Sequence, residues 1–421
     1  MKLTIESMTY GADGLAHADN GKAVFVQGAV AGDTAEVVQD GKSFMRARTT
    51  EILEPSPDRI QPPCPFVGIC GGCSWGNLSR TAQLAAKEQN LRSTLERIGK
   101  FSPDQVDELV QPIRHTKDDW GYRNKIELEP TVVNGRVRLG MHGVDPRKIV
   151  TVDSCPLFDK RFPKALKSVV GALNYLSGSH DLGLERVGIR ASRRTKALEV
   201  ALWTPTGSFP RSQVRVMSKG EKKARRVSKV EMLAGEGSWT ENIAEGQMRL
   251  SAPSFFQVNT KGAEILIELV MEALDPQEDE LAVDLYCGAG TFTLPLARRC
   301  DFVAAVEAYG PAVRDLRRNL EINKLDNVDV IGGDAVREFP DQDADVLVVD
   351  PPRAGLAPEA IGLIASTSAR DVAYVSCDPA TLARDLKRFV EEGTFSPVKI
   401  APVDLFPQTF HCETVVHLRR N

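Results

Sequence analysis

Apolar and polar positions alternate in short runs over roughly the first 55 residues. KLTIESM, KAVFVQGAV, TAEVVQD and MRARTTEIL are separated by turns at Gly11, Gly14, Gly21 and Gly32-Asp33. Period-two runs that close together predict short strands folded into a small β-barrel. Pro55, Pro57, Pro62 and Pro63 then mark a boundary. Between 78 and 100 the rhythm changes, and Leu84, Leu91, Leu95 and Ile98 fall at helical spacing. Residues 121–155 and 185–250 read as strand-rich and irregular. From about 251 the pattern becomes an alternation of helix and strand. An amphipathic helix is predicted near 260–274, followed by strands at LAVDLYC, FVAAVEA (302–308), VDVIGG (328–333), ADVLVVD (344–350) and VAYVSC (372–377). This is the βαβ rhythm of a parallel, doubly wound sheet, in which ligands bind at the carboxyl ends of strands.

The chain has 421 residues, 42% of them apolar and 26% charged, with a formal charge of −4. That length suggests about three domains and that composition excludes a disordered chain or a rod. No apolar run reaches the ~18–20 residues of a membrane helix, and the first residues lack the pattern of a signal peptide. The expected location is therefore the cytoplasm. The charge is segregated: Arg186 to Lys229 holds 13 Lys/Arg against 2 Glu. Such a stretch is either a phosphate-binding face or a solvated loop.

The strand ends carry the chemistry. Asp284 to Gly290 (DLYCGAG) is a glycine turn after a strand, and Thr293 replaces the last glycine of a dinucleotide fingerprint. Glu307 ends the next strand, where a carboxylate can accept both hydroxyls of a ribose. Asp334 follows the third strand, within reach of an adenine edge. Asp350-Pro351-Pro352-Arg353-Ala354-Gly355 is a stiff loop after the fourth, suited to a flat base. The plain alternative is a set of tight turns and helix caps. Cys377 ends the fifth strand ahead of a helix, where a thiolate is favoured, and is a candidate nucleophile. Glu413 precedes the last strand and is a candidate general base.

Of eight cysteines, Cys64, Cys70 and Cys73 are clustered, and Cys155 stands alone 82 residues beyond Cys73. Clustered cysteines in a large cytoplasmic chain suggest a metal before disulfides. Their spacing is not that of a zinc ribbon, and it suits an iron–sulfur cluster among Phe66, Ile69 and Trp75.

With these motifs in this order, the chain resembles the RNA (uracil-5-)-methyltransferases, which make 5-methyluridine. SFFQVN (254–259), DLYCGAGTF (284–292), DPPRAG (350–355), SCDPATLARD (376–385) and HCE (411–413) all appear in family order, so the resemblance covers nearly the whole chain. Two small departures are Asp378, where many relatives have asparagine, and Cys412, at a variable position. The resemblance implies an α/β protein in three parts. These are a TRAM barrel, an OB-like RNA-binding module, at 1–58, a central α+β iron–sulfur and RNA-binding region at 59–250, and a Rossmann-like class I methyltransferase domain at 251–421. It further implies that Gln257, Tyr286, Glu307, Asp334 and Asp350 line the pocket for S-adenosyl-L-methionine and the base. Cys377 is the implied nucleophile and Glu413 the implied base. Cys64, Cys70, Cys73 and Cys155 are the implied ligands of a [4Fe–4S] cluster.

The implied partner is RNA, gripped by the barrel and the basic stretch. Large-subunit ribosomal RNA is favoured and the tRNA T-loop is the alternative, with the chain acting as a monomer. Three rivals fit less well. A radical-type enzyme would carry a different cysteine spacing. An adenine N6-methyltransferase has a tyrosine at the Arg353 position and no use for Cys377. A non-catalytic RNA-binding factor would not need Cys377 and Glu413.

Overall fold

The computed structural model describes every residue except 41–45, 179–181, 205–214, 220–226, 232–237, 245 and 342. Six strands form the N-terminal sheet: β1 (Lys2–Thr4), β2 (Ser7–Met8), β3 (Gly14–His17), β4 (Ala23–Gln27), β5 (Thr34–Asp40) and β6 (Arg46–Glu54). Their order is β1-β5-β6-β4-β3-β2. The two end strands are separated by only Ile5 and Glu6, whose amides bond Asp33 and Leu15 at 2.8 Å. Residues 2–8 thus act as one strand paired on both edges, and the sheet closes into a five-stranded barrel. Leu3, Ile5, Ala16, Val24, Val26, Ala35 and Val37 fill it.

Helix α1 (Arg80–Thr94) follows the cysteine segment and runs into a wider π turn at Leu95–Gly99, and α2 (Pro103–Leu109) precedes β7 (Arg114–His115). Only part of the expected apolar stripe is buried. Leu91 and Leu95 are, whereas Ile98 is 39% exposed and Gln83 and Lys87 take its place inside. The second sheet has the order β10-β9-β8-β11-β12-β13-β14. It comprises β8 (Lys125–Val133), β9 (Arg136–His142), β10 (Ile149–Thr151), β11 (Arg186–Ala191), β12 (Leu198–Thr204), β13 (Arg215–Lys219) and β14 (Val227–Glu231), and α3 (Ala165–Ser177) packs its apolar stripe on it.

The C-terminal part begins with the hairpin β15 (Trp239–Ile243) and β16 (Gly246–Leu250). Then come α4 (Thr260–Leu274), β17 (Leu281–Leu285), α5 (Thr293–Ala297), β18 (Phe302–Glu307), α6 (Gly310–Asn323), β19 (Val328–Gly332) and β20 (Val346–Val349). The chain ends with α7 (Pro358–Ser366), β21 (Asp371–Ser376), α8 (Pro379–Glu392), β22 (Phe395–Asp404) and β23 (Glu413–Arg420). The sheet order is β19-β18-β17-β20-β21-β23-β22-β7, and β23 alone runs antiparallel to both its neighbours. The interior strands are apolar on both faces, as parallel strands covered by helices must be. Val346 and Val348 face the core under α4 and α6, and Leu347 and Val349 face the one under α7 and α8. β7 comes from the preceding region and adds two residue pairs to the β22 edge. Among the described residues, no helix is long and apolar enough to cross a membrane.

Candidate active site

Strand order reverses between β17 and β20, so the crevice for a ligand opens at their carboxyl ends. Register fills that crevice. Leu285 pairs with Val306 and with Val349, so the next residues out, Tyr286, Glu307 and Asp350, stand in one row across three strands. Asp334 lies two residues past β19, beside Glu307's neighbour Gly332. On the other side, Ser376 pairs with Thr414 in the antiparallel β21–β23 ladder. One step further out, Cys377 faces Glu413. One sheet edge therefore gathers Glu307, Tyr286, Asp350, Cys377 and Glu413.

Local geometry aims these groups. Tyr286 adopts φ +63°, a backbone conformation that non-glycine residues hold at functional turns. Gly290 has φ +102°, and a Cβ there would stand 2.7 Å from Leu316. Glu307 accepts the Gly288 amide at 2.9 Å and the Tyr309 amide at 2.5 Å, one per oxygen. Asp334 is exposed and caps its own turn, its Oδ1 accepting the amides of Val336 and Arg337. Asp284, placed by the same motif, is fully buried under the turn and accepts the Thr293 hydroxyl at 2.6 Å.

Gln257 is buried, held through its carbonyl by Asn124 Nδ2 at 2.9 Å. Its side-chain amide has no partner among the described residues. Arg190 donates to the carbonyls of Ser251 and Ser254, and Asn259 caps α4 by accepting the Gly262 amide at 3.2 Å.

The charges crowd one another. Burial and the Glu307 carboxylate push Asp350 up to about 7. Burial, then Asp350, push Glu413 up to about 8, with Arg353 opposing. Burial, then Glu413, raise the Cys377 thiol to about 11, with Arg353 again opposing. Burial and Glu413 thus disfavour the thiolate expected ahead of a helix, and the first amides of α8 are taken by Asp378, which accepts those of Ala380 and Thr381. Arg353, from the stiff loop, is the cation common to Cys377 and Glu413. The sequence carries Arg353 inside a motif but holds no local sign of this role.

Helix α8 clamps that loop. Thr381 donates to the Arg353 carbonyl at 3.2 Å and Arg384 to the Ala354 carbonyl at 2.8 Å. Asp385, fully buried, accepts the Leu356 amide and the Tyr374 hydroxyl, both at 2.8 Å. The segment leading into Glu413 is gripped from the central region. Lys87 donates to Asp404 and to the Phe406 carbonyl, Arg80 pairs with Asp404, and Tyr122 donates to the Pro407 carbonyl at 3.0 Å. Gln83 exchanges hydrogen bonds with Gln408, its Oε1 accepting the Gln408 amide at 2.8 Å.

Cys64, Cys70, Cys73 and Cys155, all free thiols, line one cavity with Phe66, Ile126, Met141, Val152, Leu157 and Arg123. Among the described residues, no three His, Cys, Asp or Glu side chains are arranged around a single metal ion. Burial raises the Cys73 thiol to about 12, with Cys155 adding and Arg123 opposing.

Three arginines at the start of the basic stretch are engaged within the protein. Arg186 pairs with Glu127 and lies 3.9 Å over the Trp203 ring, Arg193 pairs with Asp118 and Asp159, and Arg194 with Glu264. Residues 205–214 and 220–226 lie outside the described residues.

Comparison with known proteins places the chain in a family. The family described as tRNA (uracil-5-)-methyltransferase matches residues 242–421. An uncharacterized RNA methyltransferase of Gloeobacter violaceus is 34% identical, covering 99% of this chain and 96% of its own. Another, from Halalkalibacterium halodurans, is 32% identical over 99% of this chain and 96% of its own. The crystal structure of Pyrococcus abyssi tRNA (uracil-54, C5)-methyltransferase in complex with S-adenosyl-L-homocysteine superposes with a TM-score of 0.77 at 24% identity, covering 99% and 100% of the two chains. A strand-end site of this form and two relatives aligned end to end make the conclusion plain: the chain is an enzyme of the RNA (uracil-5-)-methyltransferase family.

Proposed function

We propose that the chain transfers the methyl group of S-adenosyl-L-methionine to C5 of a uracil in RNA, with Cys377 as nucleophile and Glu413 as base. The observation that carries this reading is the β21–β23 register, which sets Cys377 against Glu413 at the edge where Tyr286, Glu307 and Asp350 stand in a row. Glu307 suits the ribose of the donor, Tyr286 and Asp334 its adenine end, and Asp350 the base. The S-adenosyl-L-homocysteine bound to the Pyrococcus abyssi enzyme supports the same donor.

C5 of uracil is a poor nucleophile. Addition of the Cys377 thiolate to C6 places the electron pair on O4 as an enolate and makes C5 carbanion-like. C5 then takes the methyl from the sulfonium, releasing S-adenosyl-L-homocysteine. Glu413 removes the C5 proton, and the electron pair re-forms the C5–C6 bond and expels Cys377. A base with a pKa near 8 is matched to proton removal close to neutrality. The unpartnered amide of Gln257 is available to the uracil edge and stabilises the enolate. The uridine must flip out of its stack to enter, and the barrel supplies an RNA-binding surface of the OB type.

The four cysteines suit a [4Fe–4S] cluster. A cubane bonds its thiolates at four separate corners, so they stand further apart than around one ion, and this cavity is apolar-walled with Arg123 to balance thiolate charge. When bound, the cluster would supply a structural staple, since methyl transfer requires no electron.

For the RNA, the barrel together with the cysteine cavity favours large-subunit ribosomal RNA through the family resemblance. The name of the matching family and the tRNA (uracil-54, C5)-methyltransferase of Pyrococcus abyssi favour tRNA, with its T-loop as the target. The test uses total RNA from cells lacking this protein, purified enzyme and tritiated-methyl S-adenosyl-L-methionine. Label in 5-methyluridine is expected, and the labelled fraction names the RNA. Label in another nucleoside would overturn the Cys377 mechanism.

A further inference from the structure

The turn between β2 and β3 leaves the barrel and enters the active site. Thr9 closes this turn, its amide and hydroxyl both donating to the Asp13 carbonyl at 3.1 and 2.8 Å. Trp75, fully buried beyond the cysteine segment, donates its indole N–H to the Gly11 carbonyl at 2.9 Å and its own amide to the Gln408 carbonyl at 3.0 Å. Met8 and Val30 of the barrel pack with Trp75, Leu78 and Phe410 in one apolar cluster. From this seat Tyr10 touches the segments that carry Cys377 and Glu413. Its hydroxyl donates to the carbonyl of Cys377 at 3.3 Å, across 367 residues of sequence. Its ring meets Phe410 edge-on at 5.4 Å, and Phe410 stacks on His411 at 4.2 Å, two residues before Glu413.

From this contact set we propose that Tyr10 is a positioning residue for methyl transfer, through which the barrel holds the Cys377 and Glu413 segments in their reactive arrangement. The barrel then does more than grip RNA. Any movement of it on the rest of the chain is felt at the Cys377 carbonyl and at Phe410 together. This inference rests on the assignment of Cys377 and Glu413 given above. Arg353 and Asp378 also face the Tyr10 hydroxyl, whose ionisation burial suppresses, so the residue serves as a neutral donor throughout.

The test compares the full-length chain with Tyr10→Phe, which keeps the ring and removes the donor. Methyl transfer to total RNA from cells lacking the protein is measured against RNA concentration. The maximal rate should fall about three- to ten-fold, the factor lost with one ordinary hydrogen bond, while the half-saturating RNA concentration stays within two-fold. An unchanged maximal rate overturns the proposal, as does a rise in half-saturating RNA that exceeds the fall in rate, which is what a barrel that merely grips would give. Trp75→Phe removes the bond that seats the turn and leaves Tyr10 and Cys377 in place. Its effect and that of Tyr10→Phe should not add in the double variant, because both act through one contact. Full additivity would count against a shared path. Should wild-type protein form no 5-methyluridine, the assignment of the reaction fails instead, so the two failures are distinct.

Discussion

Cys377 and Glu413 face each other with both acids held in their protonated forms more firmly than usual. At pH 7 a thiol whose pKa is about 11 is ionised to on the order of one part in ten thousand. Raising the pH toward 11 increases the thiolate fraction, so alkylation of Cys377 by iodoacetamide in the free protein should rise about tenfold per pH unit between 7 and 10. Arg353→Met, which deletes the opposing cation, should slow it further at every pH. A plateau near pH 8 would show that the thiol is not held up. Substitution separates the two roles. Cys377→Ala should abolish turnover while S-adenosyl-L-methionine still binds by calorimetry. Glu413→Gln should let a covalent RNA adduct accumulate, visible as a slow band in a denaturing gel. An active Cys377→Ala enzyme would remove the nucleophile assignment. The placement of these two residues at neighbouring strand ends was legible because each lies in a short local motif; the roles proposed for them await the substitutions above. Tyr10 was not, since its partner is 367 residues away and nothing in its own segment marks it.

The elements that hold these residues are read from the sequence with uneven success. The parallel strands announced themselves, because burial on both faces writes continuous apolar runs. Helix α1 misled: its inner face carries Gln83 and Lys87, which grip Gln408, Asp404 and Phe406, more than 300 residues downstream. Hydrophobic periodicity has no way to record a polar face buried for a distant partner. The clamp of α8 on the Arg353 loop is likewise tertiary, though its residues sit in plain view in the SCDPATLARD run. Gly355 tests it. Its φ is +73°, and a Cβ would stand 2.3 Å from Asp385 Oδ2. Gly355→Ala should therefore destabilise the protein by about 1–3 kcal/mol in urea denaturation and lower the methylation rate more than ten-fold. A silent substitution would mean the loop has slack.

Across the whole molecule, three bodies meet around one segment, Asp404 to Cys412. The barrel touches it through Tyr10, the cysteine segment through Trp75, and α1 through Lys87, Gln83 and Arg80. Phe410 of this segment lines a neighbouring cavity together with Cys64, Cys70 and Cys73, so a cluster held by these cysteines would brace the junction and its loss should loosen it. Anaerobically purified protein is expected to contain iron, and Cys155→Ser should lose most of it and melt several degrees lower. Zinc in place of iron would discard the cluster.

The pairing of β7 with β22 has a practical meaning for anyone who cuts this chain. The methyltransferase sheet borrows its last strand from upstream, and residues 110–115 run beside Ile400 to Asp404 through the Gln111 amide and the two β7 pairs. A fragment beginning at Trp239 would bare that edge, inviting other copies to add to it. It would also strip Asp404, fully buried, of both Lys87 and Arg80. Such a fragment should elute as aggregate in gel filtration where one starting ahead of Arg80 does not. The N-terminal parts and the catalytic half are therefore not interchangeable cassettes: a chimaera with a relative has to carry α1, α2 and β7 along with the catalytic half, or rebuild the seam they cover.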